Sequence, residues 1–217
     1  MTVTFGELAA SRRPRLDDML LALAGEFGDC DARGARDRLE TLGAEIAGAG
    51  AGEMNPQAQL DAVVAILGDR HGFSGNRENY DDPANSMLDR VLERRTGLPI
   101  LLSIVYIETS RRAGIDLAGV GLPGHYVVGH FGGHEPLLID PFAGGVRLEI
   151  PESARVEQWD AHQTVLRVLN NLVGSYRRRN DVVRAIRAAE LRMELPLGDR
   201  QAAALQLELR SVRSALN

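Results

Sequence analysis

From Leu98 to Ile107 the chain reads LPILLSIVYI, apolar on nearly every side of a helix rather than along one stripe. A helix of that kind needs neighbours on most of its faces, so the rest of the chain has to be built around it. Pro99 suits its first turn, where the missing N–H would go unused anyway. The helix is expected to run to about Arg112 and end at Gly114. The stretch is about half of what a bilayer requires and contains Pro99 and Ser103, which makes it a core element and not a membrane span.

The segments before it read as cover. Leu16, Met19, Leu20, Leu23 and Phe27 recur at helical spacing, with Gly28 placed as a stop, and a second amphipathic stretch covers Asp31 to Ile46. Small residues from Ala47 to Gly52 mark a turn. Asn55-Pro56 is an N-cap with proline in the first turn of a helix through Leu60, Val63, Val64 and Leu67. A Gly-, Asn- and Asp-rich loop spans Gly68 to Asn85. Ser86 and Asp89 have the spacing of a capping box for a short helix ending near Arg95, with Gly97 as its left-handed stop.

After the central helix the period falls to two. Val120 to Phe131 and Leu137 to Asp140 are expected as strands joined at Gly132-Gly133, with Val146 to Ile150 following a turn at Gly144-Gly145. Helical spacing returns from Gln163, through Leu166, Leu169, Leu172 and Tyr176, then Val183, Ile186, Ala189 and Leu191, up to Pro196. Two helices joined at Arg179-Asn180-Asp181 have the pattern of one tetratricopeptide-type hairpin, whose apolar stripe needs cover. The expected class is therefore α+β: an N-terminal helical region over 1–68, a mixed core over 69–160 and a helical tail over 163–217.

The 25 basic residues are all arginine, which removes Schiff-base chemistry, a lysine base and the P-loop lysine. A net charge of −5 offers no attraction to a phosphate backbone, so nucleic acid is not an expected partner. One cysteine, Cys30, excludes an internal disulfide and a multi-thiolate zinc site; neither a membrane partner nor a cofactor is expected, and the address is expected to be cytoplasmic.

Chemistry concentrates on the hairpin. With Gly132-Gly133 as the loop, Phe131 faces His134, Val127 faces Leu138 and His125 faces Asp140, close enough for the carboxylate to orient the imidazole. That is the base-and-orienter half of a nucleophilic triad, set against the plainer reading of a core histidine and a turn-starting aspartate. His130 and His134 lie nearby, but His125 and His130 fall on opposite faces of a strand, so no metal site is expected. Ser103, about one turn into the central helix, is the nearest hydroxyl, and Ser86 the next.

The strings YDDPANS (Tyr80 to Ser86), VLERRTGLP (Val91 to Pro99), Pro123-Gly124-His125 and IDPF (Ile139 to Phe142) with Gly144-Gly145 resemble the bacterial SirB-like proteins, which join a transglutaminase-like core to tetratricopeptide-type helices. The resemblance implies a papain-like core, a buried central helix on an antiparallel sheet, and a Cys-His-Asp triad in catalytic relatives. His125 matches the family histidine and Asp140 the aspartate. The thiol should stand at the start of the central helix, facing the histidine, yet the sequence there is Gly97-Leu98-Pro99-Ile100-Leu101. The expected function is therefore a non-catalytic module binding a peptide or protein in a cleft lined by Asn85, Pro99, Ile100 and Tyr126. The alternative is a hydrolase or acyl-transfer enzyme in which Ser103 replaces the thiol.

Overall fold

The computed structural model describes residues 3–149 and 156–214. Helix α1 (Phe5–Ala9) is closed by a capping box between Thr4 and Glu7. Helix α2 (Leu16–Gly25) buries Met19, Leu20 and Leu23 and ends three residues before Gly28. In α3 (Ala32–Gly48) the cap is Asp31, which accepts from the Gly34 N–H, and in α4 (Pro56–Val64) it is Asn55, which accepts from Ala58. Both caps satisfy donors that a helix start leaves open.

Strand β1 (Ser74–Gly75) pairs in parallel with β2 (Thr96–Gly97), and α5 (Leu88–Arg94) lies between them in sequence. The expected capping box is absent. Ser86 closes a short 3-10 turn from Pro83, Met87 is the N-cap without a side-chain bond, and the left-handed stop is Arg95, at φ 60°. Gly97 cannot be that stop, because it already pairs with Gly75. A side chain at Gly97 would also come within 2.8 Å of Val91.

Helix α6 (Pro99–Arg112) is the central element. Every residue from Pro99 to Ser110 is buried, which is the outcome its all-round apolarity requires. Helix α3 packs on one side, so closely that a Cβ on Gly43 would sit 2.5 Å from Arg112 Cβ and 3.1 Å from the Thr109 carbonyl. A cluster of charges clamps this junction. The inaccessible Asp17 of α2 meets Arg112 at 2.5 Å and Arg15 at 2.9 Å, while Arg112 also reaches Glu108 at 2.9 Å and Glu40 at 2.7 Å.

The other side of α6 carries an antiparallel sheet in the order β3 (Leu117–Leu122), β4 (His125–His130), β5 (Leu137–Asp140), β6 (Val146–Leu148). The stretch expected as one strand from Val120 to Phe131 is a hairpin, broken at Pro123-Gly124 with Gly124 at φ +71°. Proline presets the first turn position and glycine accepts the positive φ of the second. The next connection is longer than Gly132-Gly133: pairing stops at His130 and resumes at Leu137, because Pro136 has no N–H to donate. Ile150, the expected end of the last strand, lies outside the described residues.

The tail comprises α7 (Ala161–Arg178), α8 (Val182–Leu191) and α9 (Asp199–Ser214). Val165, Val168, Leu169 and Leu172 of α7 are buried, whereas Leu166 and Ile186 are only half-buried. Helix α7 packs on α2, α6 and the segment 83–86, and α9 folds back on α8. Among the described residues no helix is long and apolar enough to cross a membrane.

Candidate functional site

His125 opens β4 and Asp140 closes β5, and the His125 Nε2 to Asp140 Oδ2 distance is 2.8 Å. The two are not directly opposite. Val128 pairs with Ile139 and Gly129 with Leu138, so Asp140 lies across from Val127, displaced by two positions from the expected register. A shift of two keeps side chains on the same face, and a diagonal contact replaces the direct one. Asp140 Oδ1 accepts from the Phe142 N–H at 2.9 Å, and its carbonyl accepts from Gly145 at 2.8 Å. The carboxylate is thus pinned by the turn that follows it. It binds Nε2 and leaves Nδ1 as the free nitrogen of a side chain that is 30% exposed.

Alternation assigns this pair to the face of Val127 and Leu138, which form a small separate apolar cluster with Val120. Tyr126, Val128 and Ile139 occupy the opposite face, in the main core with α6. The imidazole is therefore at the rim of the sheet, on the face that alternation turns away from α6 rather than facing the start of that helix as expected, and among the described residues its one hydrogen bond is to Asp140. Ser103 donates to the Tyr126 carbonyl at 3.4 Å and is completely buried, so the start of β4 lies against the first turns of α6 while the hydroxyl is out of reach of a substrate.

The four residues expected to line a cleft are all buried. Pro99 and Ile100 lie within the covered start of α6. Tyr126 packs edge-on against Trp159, and its hydroxyl pairs with Thr164 Oγ1 at 2.8 Å; burial pushes the phenol up to about 12. Asn85 is the organiser of the loop before α5. Its amide donates to the carbonyls of Asn79 and Tyr80 and accepts from Asn76, and its own carbonyl receives the Leu98 N–H at the entry to α6. What sequence reasoning missed is an aromatic contact beside Asp140, at Phe142, whose N–H donates to the Asp140 carboxylate. Tyr80, 48% exposed, meets the Phe142 ring edge-on at 6.1 Å, with Arg77 at 5.0 Å over the same ring. Both aromatics lie in the recognised strings, but no periodicity joins two loop side chains that are distant in sequence.

The remaining candidates have other duties. His130 is buried, its Nδ1 accepts from the Gly132 N–H, and its Nε2 lies 2.6 Å from Gln59; burial lowers its pKa, which favours the neutral ring that this pattern needs. His134 is exposed. Among the described residues no group of three or more His, Cys, Asp or Glu is set to hold a metal ion. The half-buried Cys30 thiol is pushed up to about 11, by burial first and then by Asp89 and Asp31, so it stays protonated at neutral pH. Ser86 is buried with its hydroxyl unpartnered and is not an N-cap.

Comparison with known proteins agrees with this architecture. The sequence model of the transglutaminase-like superfamily matches residues 33–175. The chain is similar to a UPF0162 protein of Xylella fastidiosa strain 9a5c, 38% identical over 178 residues, which is 70% of this chain and 63% of that protein. A second, from Xylella fastidiosa strain Temecula1, is 37% identical over 73% of this chain and 65% of its own length. Mouse F-box only protein 21 is 35% identical over 109 residues, 46% of this chain and 17% of that protein. The chain thus spans a little under two thirds of the bacterial relatives named here. No solved structure matches it.

Proposed function

The chain belongs to the transglutaminase-like superfamily, and from that premise we propose that it is a non-catalytic member, a module that holds a peptide or protein segment at the rim marked by His125, Asp140, Phe142 and Tyr80. One observation carries the reading. The His-Asp pair is formed, but the start of α6, where a catalytic relative would place its nucleophile, offers Pro99, Ile100 and Leu101, which have no attacking atom. A base acts on a proton about 2.6–3.2 Å away or through one water, and among the described residues the one side-chain partner of His125 is the Asp140 carboxylate, which accepts from the ring and offers it no proton. Ser103 does not supply one, being buried and bonded to a carbonyl. The motif strings further support a place among the SirB-like members. The packing of α7 on α8 supports a tetratricopeptide-type hairpin, and the single cysteine a cytoplasmic address.

The test pairs binding with turnover. Peptides selected against the intact protein from a displayed library should shift the His125 ring signals in NMR spectra, and His125→Ala should weaken their binding. A serine-directed fluorophosphonate probe should leave the protein unlabelled. Labelling that disappears in Ser103→Ala but survives in Ser86→Ala, or hydrolysis of a peptide or ester that disappears in His125→Ala, would establish an enzyme and overturn the reading.

A further inference from the structure

Away from the His125–Asp140 rim, a cavity of about 440 Å³ opens where the end of α2, the segment 82–90 and the turn between α7 and α8 meet. Its size lies within the range of small-molecule sites. Phe27 and Tyr176, stacked at 5.4 Å with their planes 28° apart, line it together with Met87. Asp89 lines it as well. Its side chain is only 4% exposed, and Oδ1 has no hydrogen-bond partner. Arg90 approaches the other oxygen at 3.5 Å, while the Arg90 Nη2 donates to the Asp29 carbonyl. A buried carboxylate oxygen without a donor is costly, and an external donor is one way to satisfy it.

The charges around the mouth divide into two groups. Asp82 is matched by Arg94 and Asp181 by Arg184. The Asp29 carboxylate and the Arg179 guanidinium, both exposed, have no side-chain partner among the described residues. The unmatched Asp29 carboxylate, the donorless Oδ1 of the Arg90-paired Asp89, one unmatched guanidinium and an aromatic and thioether lining call for a ligand with an aliphatic stem, cationic nitrogen and one carboxylate. We propose that this cavity binds a basic α-amino acid, free or as the C-terminal residue of a peptide. Its side-chain cation meets Asp89, its stem lies on Phe27 and Tyr176, and its carboxylate meets Arg179.

The site is independent of the His125–Asp140 pair and can be tested on the full chain. L-arginine should bind measurably by calorimetry, at up to about 10 mM ligand, and should move the Met87 methyl signal in NMR spectra. Citrulline keeps the shape without the charge and should bind at least about tenfold more weakly. Acetyl-Ala-Ala-Arg with a free carboxylate distinguishes the sources: tighter binding than L-arginine identifies a peptide C-terminus, and weaker binding the free amino acid. Asp89→Asn should reduce affinity about tenfold. Should that variant fail to fold, Arg179→Gln on the surface should weaken L-arginine by a few-fold and leave agmatine, which lacks the carboxylate, unchanged. Equal binding of citrulline and arginine, no movement of Met87, or no effect of Arg179→Gln on arginine would each overturn the proposal.

Discussion

Removing the charge from Asp17 should be among the most damaging conservative changes available to this chain. Asp17, itself closed to solvent, joins three guanidiniums, closely those of Arg15 and Arg112 and at 3.7 Å that of Arg111, and Arg112 is itself only 5% exposed. Burial alone would push the Asp17 carboxyl up, but the hydrogen bonds from Arg15 and Arg112 outweigh it and hold the group below the usual carboxylate range. Glu108 goes the other way: burial, and then the neighbouring Asp17 charge, raise it despite Arg111 and Arg112. Breaking a buried pair by removing one partner typically costs about 3–5 kcal/mol. With a urea dependence of about 3 kcal/mol/M, Asp17→Asn should lower the urea midpoint by about 1–1.7 M at pH 7. Glu108→Gln, which gives up a charge the fold disfavours and keeps an acceptor, should cost less. The pH dependence separates them further. A lowered folded-state pKa stabilises above the ordinary carboxylate range and is lost as pH falls through it, so the Asp17→Asn deficit should shrink on acidification. The contribution of Glu108, with its raised pKa, is present at low pH and lost as pH rises through the folded value, so Glu108→Gln should compare best with the parent near neutrality. A cost below about 1 kcal/mol for Asp17→Asn, or equal costs for the two variants at pH 7, would refute the reasoning.

Leu101→Ala or Ile104→Ala, both completely buried in α6, should cost about 2–5 kcal/mol in the same titration. A cost under about half a kcal/mol at both sites would mean that α6 is not the central support. Gly43→Ala should destabilise by about 1–3 kcal/mol because its methyl would collide with Arg112 and the Thr109 carbonyl, checked as a drop in melting temperature. A chain ending at Ser153 should aggregate in light scattering, since it exposes the core surface that Val165, Val168, Leu169 and Leu172 cover; a soluble, fully folded truncation would show the tail to be dispensable.

The parts of the fold legible in the sequence are those where a local pattern has one physical solution. An all-round apolar helix must be enclosed, and Asn55 before Pro56 is a cap whatever surrounds it. His125 and Asp140 could be brought to one face from parity alone, although the register was displaced. Pro136 held the missing signal, because a residue without an N–H is a poor place to resume a ladder. Other features depended on distant partners. Arg95 takes the left-handed position because the next two residues are committed to β2, and that strand exists only by pairing with Ser74 and Gly75. Asn85 looked like a binding residue, but its amide is spent on carbonyls of its own loop. The turn at Pro123-Gly124 was masked by apolar residues on both sides that continue one alternation across it.

The diagonal meeting of His125 and Asp140 makes the connection between β4 and β5 tolerant of length and intolerant of parity. Sliding β5 by two positions toward direct pairing keeps the carboxylate on the imidazole's side of the sheet and opposite it, whereas two positions the other way leaves it on that side but out of reach. Sliding it by one drives Asp140 through to the side where Tyr126, Val128 and Ile139 meet the main core, and a carboxylate there would have neither water nor a cation. Variation in the segment 131–136 is thus filtered by an odd-even rule, and of the even shifts the one toward direct pairing keeps the same rim.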